Sequence, residues 1–147
     1  MDDSLPNDLT IKVVTSIHQI PEAEWDACAG SDRANINPFV RHAFFSALED
    51  SGSVSLDTGW KPQHLVLQGE GDRILGCVPL YLKNHSYGEY VFDWSWAQAY
   101  ERAGGHYYPK LQCAVPFTPV TGPRLMIRHD LHAHRDELRH ALVGGMI

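Results

Sequence analysis

Two apolar runs, QHLVLQ at residues 63–68 and RILGCVPLYL at 73–82, are separated by the four residues GEGD. Glycine and acidic turn residues between leucine-rich and β-branched runs predict an antiparallel hairpin. Around 65–67 and 74–82 consecutive residues are apolar, so both faces of each strand are expected to be covered and the hairpin to lie centrally in its sheet. A sheet buried on both faces needs other elements layered over it, and that requirement governs how the rest of the chain is read.

The flanking segments supply those elements. LTIKVVTSI at 9–17 predicts a strand. In IPEAEWDACAG, Pro21 suits a first helical turn, Glu22 and Glu24 favour the positive end of the helix, and Gly30 stops it. Asn37 and Pro38 cap and open a second helix, in which Phe39, Val40, Phe44, Ala47 and Leu48 recur at helical spacing up to Ser51 and Gly52. KLQCAVPF at 110–117 predicts a further strand, after which Pro116, Pro119 and Pro123 keep the chain extended and RLMI forms a last short strand. Residues 130–145 predict a C-terminal helix with Asp130 as its cap, Leu131, Leu138, Ala141 and Leu142 inward and Gly144 near its stop. The expected architecture is one α/β domain over 1–147, an open sheet with helices on its faces and a flexible N-terminus at 1–8.

Charge and motifs narrow the function. The net charge is −6 and the 12 Lys and Arg residues are scattered, which disfavours a nonspecific nucleic-acid binder. No apolar run reaches the roughly 18 residues of a membrane span, and the acidic MDDSLPNDL is unlike a signal peptide, so a cytoplasmic location without membrane insertion is expected. Cys28, Cys77 and Cys113 are far apart and read as buried thiols. There is no G-x-S-x-G elbow, and GEGD leads into a strand where a nucleotide loop would lead into a helix. His132, Asp136 and His140 fall at i, i+4 and i+8, a spacing able to hold a metal, but on a terminal helix they read as a solvated face and no metal is expected.

The chemistry concentrates in an aromatic insertion at 84–109. In DWSWAQAYERAGG, at 93–105, Asp93 predicts a helix cap and Gly104 with Gly105 a left-handed stop. On that helix Asp93, Trp96, Ala97 and Tyr100 share a face, while Trp94 points elsewhere. Tyr87, Glu89 and Tyr90 precede it, and Tyr107, Tyr108 and Lys110 follow. One reading is a covering helix whose aromatics shield a sheet edge. The other is a substrate wall of rigid aromatics with charge in a sheltered place, where a carboxylate would have its pKa raised toward that of a general base for an amine.

Taken together, SYGEYVFDWSWAQAYERAGGHYYPKLQCAVPFTPVTGPRL at 86–125, the preceding GCVPLYLKNH, IPEAEWDACAG and NPFVRHAFFSALEDSGS resemble a bacterial FemAB-like family. That family is labelled as peptidoglycan biosynthesis or recognition and belongs to the GNAT acyltransferase superfamily. The resemblance spans about residues 17–128. It implies a GNAT-like mixed, largely antiparallel sheet flanked by helices, and a chain that forms the N-terminal part of a protein with a second such half. It also implies acyl or aminoacyl transfer to an amine of a cell-wall precursor, with acyl-CoA or aminoacyl-tRNA as donor and no tightly bound cofactor. The alternatives are a noncatalytic module binding peptidoglycan fragments, and an inert fragment that self-associates through an exposed sheet edge.

Residue chemistry assigns the roles. Glu89 or Asp93 would polarise or deprotonate the amine, and Tyr87, Tyr90, Trp94, Trp96, Tyr100 and Tyr108 would line the cleft. Lys110 would meet a charged group of the substrate. Where GNAT enzymes carry a glycine-rich pyrophosphate loop this chain has PFTPVTGPRL, with three prolines, leaving Gly122 and Arg124 as the donor-binding candidates.

Overall fold

A computed structural model of the protein describes residues 5, 8–30 and 37–147, so the expected flexible N-terminus falls almost wholly outside the described residues. Among the described residues seven strands form: β1 (Thr10–Val14), β2 (Lys61–Pro62), β3 (His64–Gln68), β4 (Ile74–Val78), β5 (Leu80–Lys83), β6 (Lys110–Cys113) and β7 (Met126–Ile127). Four α-helices accompany them: α1 (Glu22–Ala29), α2 (His42–Asp50), α3 (Trp94–Arg102) and α4 (Arg135–Gly144).

The strands form two antiparallel sheets, ordered β1-β3-β4-β7 and β2-β5-β6, where a single open sheet was expected. Pro79 explains the difference. It has no N–H to give to a ladder, so the 73–82 run breaks there into β4 and β5. Beyond the break Leu80 donates its N–H to the His64 ring at 3.2 Å and accepts from Gln63 N at 2.8 Å, and β5 turns into the second sheet.

The hairpin β3–β4 is central, as its composition requires, with β1 and β7 outside it. Its alternate side chains enter two cores. Val66 and Cys77 join Trp25, Val40, Phe45 and Met126 under α1 and α2. Leu65, Leu67, Leu75 and Val78 join Leu138 and Leu142 of α4. Burying a leucine fully contributes about 1.5–3 kcal/mol, so α4 is held mainly by this face.

Local caps differ from expectation at α2 and at α4. Asn37 accepts from Phe39 N at 3.1 Å but caps only a 3-10 turn, Pro38–Val40. Arg41 is then extended, and α2 starts afresh at His42, whose N–H is received by Asp26 of α1 at 2.9 Å. Asp130 does not cap the last helix. Its carboxylate pairs with Arg73, and a 3-10 segment over His129–His134 leads into α4. Among the described residues no helix is long and apolar enough to cross a membrane.

Candidate functional site

Antiparallel register sets Lys83 of β5 directly across from Lys110 of β6, with Tyr81 across from Gln112 on the same face. Two ammonium groups facing each other across strands repel. The 84–109 segment resolves this by folding a carboxylate between them: Glu89 lies 2.7 Å from Lys83 Nζ through Oε1 and 2.8 Å from Lys110 Nζ through Oε2. Lys110 also donates to Asp93 Oδ2 at 2.5 Å and to Ser86 Oγ at 2.9 Å. Tyr107 donates its hydroxyl to the same Asp93 oxygen at 2.6 Å, and Ser86 and Tyr108 share a hydroxyl hydrogen bond of 2.7 Å. Lys83 donates to Tyr87 O at 2.7 Å, with its ammonium 3.5 Å from the centre of the Trp60 ring. Two ammoniums and two carboxylates thus balance in a nearly dry place, the Lys83 side chain being 0% and that of Glu89 5% exposed.

Gly88 makes the approach of Glu89 possible. It has φ +77°, and a Cβ there would come within 2.7 Å of the Phe117 ring, so only glycine fits without displacement.

The electrostatics correct one expectation. Burial alone would raise the Asp93 carboxyl, but hydrogen bonds from Lys110, Ser86 and Tyr107 and the Lys110 charge outweigh it and hold it down at about 2. The bond that Tyr107 donates to Asp93, with burial, pushes its phenol up to about 12. Burial lowers Lys110, yet its bonds to Asp93 and Glu89 prevail and raise it. In Lys83 burial prevails over Glu89, and the pKa falls. Asp93 is therefore a fixed anion, and the reason is its partners rather than the aromatics around it. Nor does its carboxylate cap α3, since it makes no hydrogen bond to that helix's N–H groups.

A depressed carboxyl stabilises the fold above its unfolded value and loses that contribution as pH falls toward the folded one. Taking 3.8 down to about 2, Asp93 contributes about 2 kcal/mol that should vanish between pH 4 and 2. Urea melts across that range should show a smaller acid-induced loss in Asp93→Asn than in the unaltered chain; equal losses would place the coupling elsewhere.

Beside the network a cleft of about 170 Å³ is lined by Trp60, Glu89, Tyr90, Gln112, Thr118 and Arg124, among others. Of the residues expected along one wall, Glu89 and Tyr90 reach this cleft. Tyr87 and Trp94 pack edge to face at 5.3 Å outside it, and Tyr100 packs likewise on Tyr107 at 6.2 Å. The shared helical face does not hold together: Ala97 is buried, whereas Trp96 is 73% exposed. Tyr108 and Lys110 belong to the ion network. Arg124 folds back on its own segment, donating to Val120 O, Gly122 O and Pro123 O at 2.9–3.2 Å. Gly122 has φ +152°, and a Cβ there would meet the Asn37 side chain at 2.5 Å.

The segment holding Gly122 and Arg124 leads into β7, not into a helix, so it offers no helix N-terminus to a pyrophosphate and does not fit an acyl-CoA in the ordinary GNAT manner. His140 Nδ1 donates to Asp136 O, and His132 Nε2 accepts from Arg135; among the described residues no group of three or more His, Cys, Asp or Glu is arranged to hold a metal.

Lys83, Ser86, Trp60 and Gln112 complete the site without having been singled out from the sequence, and Tyr107, named there among the aromatics, joins it with a role that was not assigned. Of the first four, Lys83 alone left a trace in the sequence, a lysine ending an otherwise apolar strand.

A sequence profile of a FemAB-like family, described as peptidoglycan biosynthesis/recognition, matches residues 16–147. No curated protein and no solved structure gives a significant match.

Proposed function

Because the chain belongs to the FemAB-like family of peptidoglycan biosynthesis/recognition, we propose that it acts as an acyl- or aminoacyl-transferase in the cytoplasm on an amine of a cell-wall precursor peptide. The observation that carries this reading is the cleft whose lining includes both Glu89 and Arg124. One anionic and one cationic group in a shared concavity suit a ligand bearing an amine and a carboxylate, as a peptide does. In transfer the amine nitrogen bonds to the donor carbonyl carbon, a proton leaves the nitrogen, and the leaving oxygen or sulfur takes one up. Glu89 is the residue assigned to polarise the amine, acting together with Lys83 and Lys110, which already engage its two oxygens. Asp93 acts through Lys110 and Tyr107 as a positioning residue. The donor is an aminoacyl-tRNA, or an acyl-CoA held otherwise than at a helix N-terminus.

A second reading, recognition without catalysis, is favoured by one fact: Asp93 is held ionised at about 2 and already has two strong donors on one oxygen, the condition of a structural anion rather than of a base. Asp93→Asn separates the two. With a muropeptide acceptor and charged tRNA or acetyl-CoA as donor, a transferase should lose about tenfold to hundredfold in kcat with KM little changed. Calorimetry should find muropeptide affinity retained. Saturable muropeptide binding with no mass shift from any donor would establish recognition instead, and unchanged kcat would remove Asp93 from the mechanism.

A further inference from the structure

Away from the aromatic segment, a cleft of about 220 Å³ runs between the 123–132 segment and α4. Arg128, His129, His132, Arg135 and Arg139 line it, and Arg139 with Arg124 lines an adjoining hollow that shares Pro123 and Leu125. Four of the chain's eight arginines thus meet at one place on a protein of net charge −6.

Among the described residues the charges of Arg124, Arg135 and Arg139 are not fully matched by neighbours. Arg128 is neutralised by Glu24 and also donates to Ile74 O. Asp136, 3.7 Å from Arg135 Nε and 3.9 Å from Arg139 Nη1, is too distant to hydrogen-bond well and serves both. Glu137 lies 3.7 Å from His134 instead. Arg124 meets backbone oxygens, and among the described residues no carboxylate pairs with it. Three guanidiniums against one carboxylate leave a net charge of two.

Two further features point to an anion. The Nε groups of Arg135 and Arg139 are both shielded from solvent, yet among the described residues neither has a hydrogen-bond acceptor. A buried donor without an acceptor is costly, and one turn of α4 carries two of them side by side. Arg135 also stands at the first position of α4, the end of the helix dipole where a cation is disfavoured. His132 Nε2, accepting from Arg135 Nη1 at 3.4 Å, aligns that guanidinium along the cleft.

We propose that this cleft is an anion site for a phosphate group, with Arg135 and Arg139 as its forked donors. A phosphate monoester dianion matches the surplus of two positive charges, and guanidinium forks match its oxygens. Arg124 lines both the hollow beside it and the cleft on the aromatic side, so the two sites adjoin, but Arg135 and Arg139 belong to the phosphate site and not to that cleft.

The test is titration of the full chain with inorganic phosphate, at constant ionic strength maintained with chloride, following the arginine Nε–Hε resonances by NMR. Saturable shifts of the Arg135 and Arg139 signals are expected, with Arg102 of α3 unmoved. Arg135→Gln and Arg139→Gln should each weaken phosphate binding about tenfold or more, while Arg102→Gln leaves it unchanged. Shifts that fail to saturate, that chloride reproduces, or that persist at equal affinity in both Gln variants would overturn the proposal. If a variant fails to fold, the resonances of the unaltered protein still decide it.

Discussion

Glu89→Gln should destabilise the protein by about 3–5 kcal/mol, the cost of breaking a buried pair from one side. The change removes one negative charge and leaves Lys83 and Lys110 opposed across β5 and β6, with Asp93 reaching Lys110 alone. Lys83 then keeps a peptide oxygen and the Trp60 ring as partners but, among the described residues, no anion at ion-pair distance. A domain of this size has only about 5–15 kcal/mol in hand, so the variant should unfold at markedly lower urea. Adding Lys83→Met to Glu89→Gln restores electrical balance and should recover more than half of the loss. Equilibrium urea denaturation of the two proteins decides the matter. A loss below about 1 kcal/mol in the single variant would mean that water reaches the network and screens it.

Trp60→Ala should cost a comparable amount, about 3–5 kcal/mol, through the cavity it leaves. Trp60 is 1% exposed, packs edge to face on Tyr81 and tilted on Phe117, each at 5.3 Å, and carries the Lys83 ammonium over its ring. It lines the candidate cleft as well, so its loss should both loosen the Lys83 anchor and open the cleft floor. Trp60→Phe keeps an aromatic face beneath the lysine and should retain much of the stability. Equal losses in the Ala and Phe variants, measured by thermal or urea melts, would show that the indole edge and volume matter and the cation–π contact does not.

Both predictions concern groups brought together from different parts of the chain, and that is where sequence reasoning ran short. The turn Glu70–Asp72, the two covered faces of β3 and β4, the starts of α1 and α3 and the inward face of α4 follow from neighbours within a few residues, where composition and spacing act directly. Asp93 and Asp130 show the limit of that logic. Asp93 stands at the N-cap position of α3 and Asp130 inside the 3-10 segment that leads into α4, yet a lysine in one case and an arginine in the other claims the carboxylate. A charge-assisted bond to a cation is about twice as strong as a neutral one, so the distant partner outbids the local cap.

The candidate site divides in the same way. The sequence marked Glu89, Asp93 and Lys110 as charges among aromatics, and these three do meet. It did not reveal that Lys83 is the fourth member, because only the β5–β6 register brings Lys83 opposite Lys110 across an intervening segment of 26 residues. Nor did it foresee the arginine cleft, where residues of the 123–132 segment meet a helix face after a kinked 3-10 turn at Leu131.

By itself the sequence determined the periodic elements, the central hairpin and the family, because apolar period, turn chemistry and a long run of shared residues are all written along the chain. Only the tertiary structure decided that the sheet divides at Pro79, that Asp93 is a fixed anion rather than a cap or a raised-pKa base, and which aromatics face a cleft. The reason is physical: a pKa and a cleft depend on distances between groups remote in sequence, and those distances are fixed by strand register and packing.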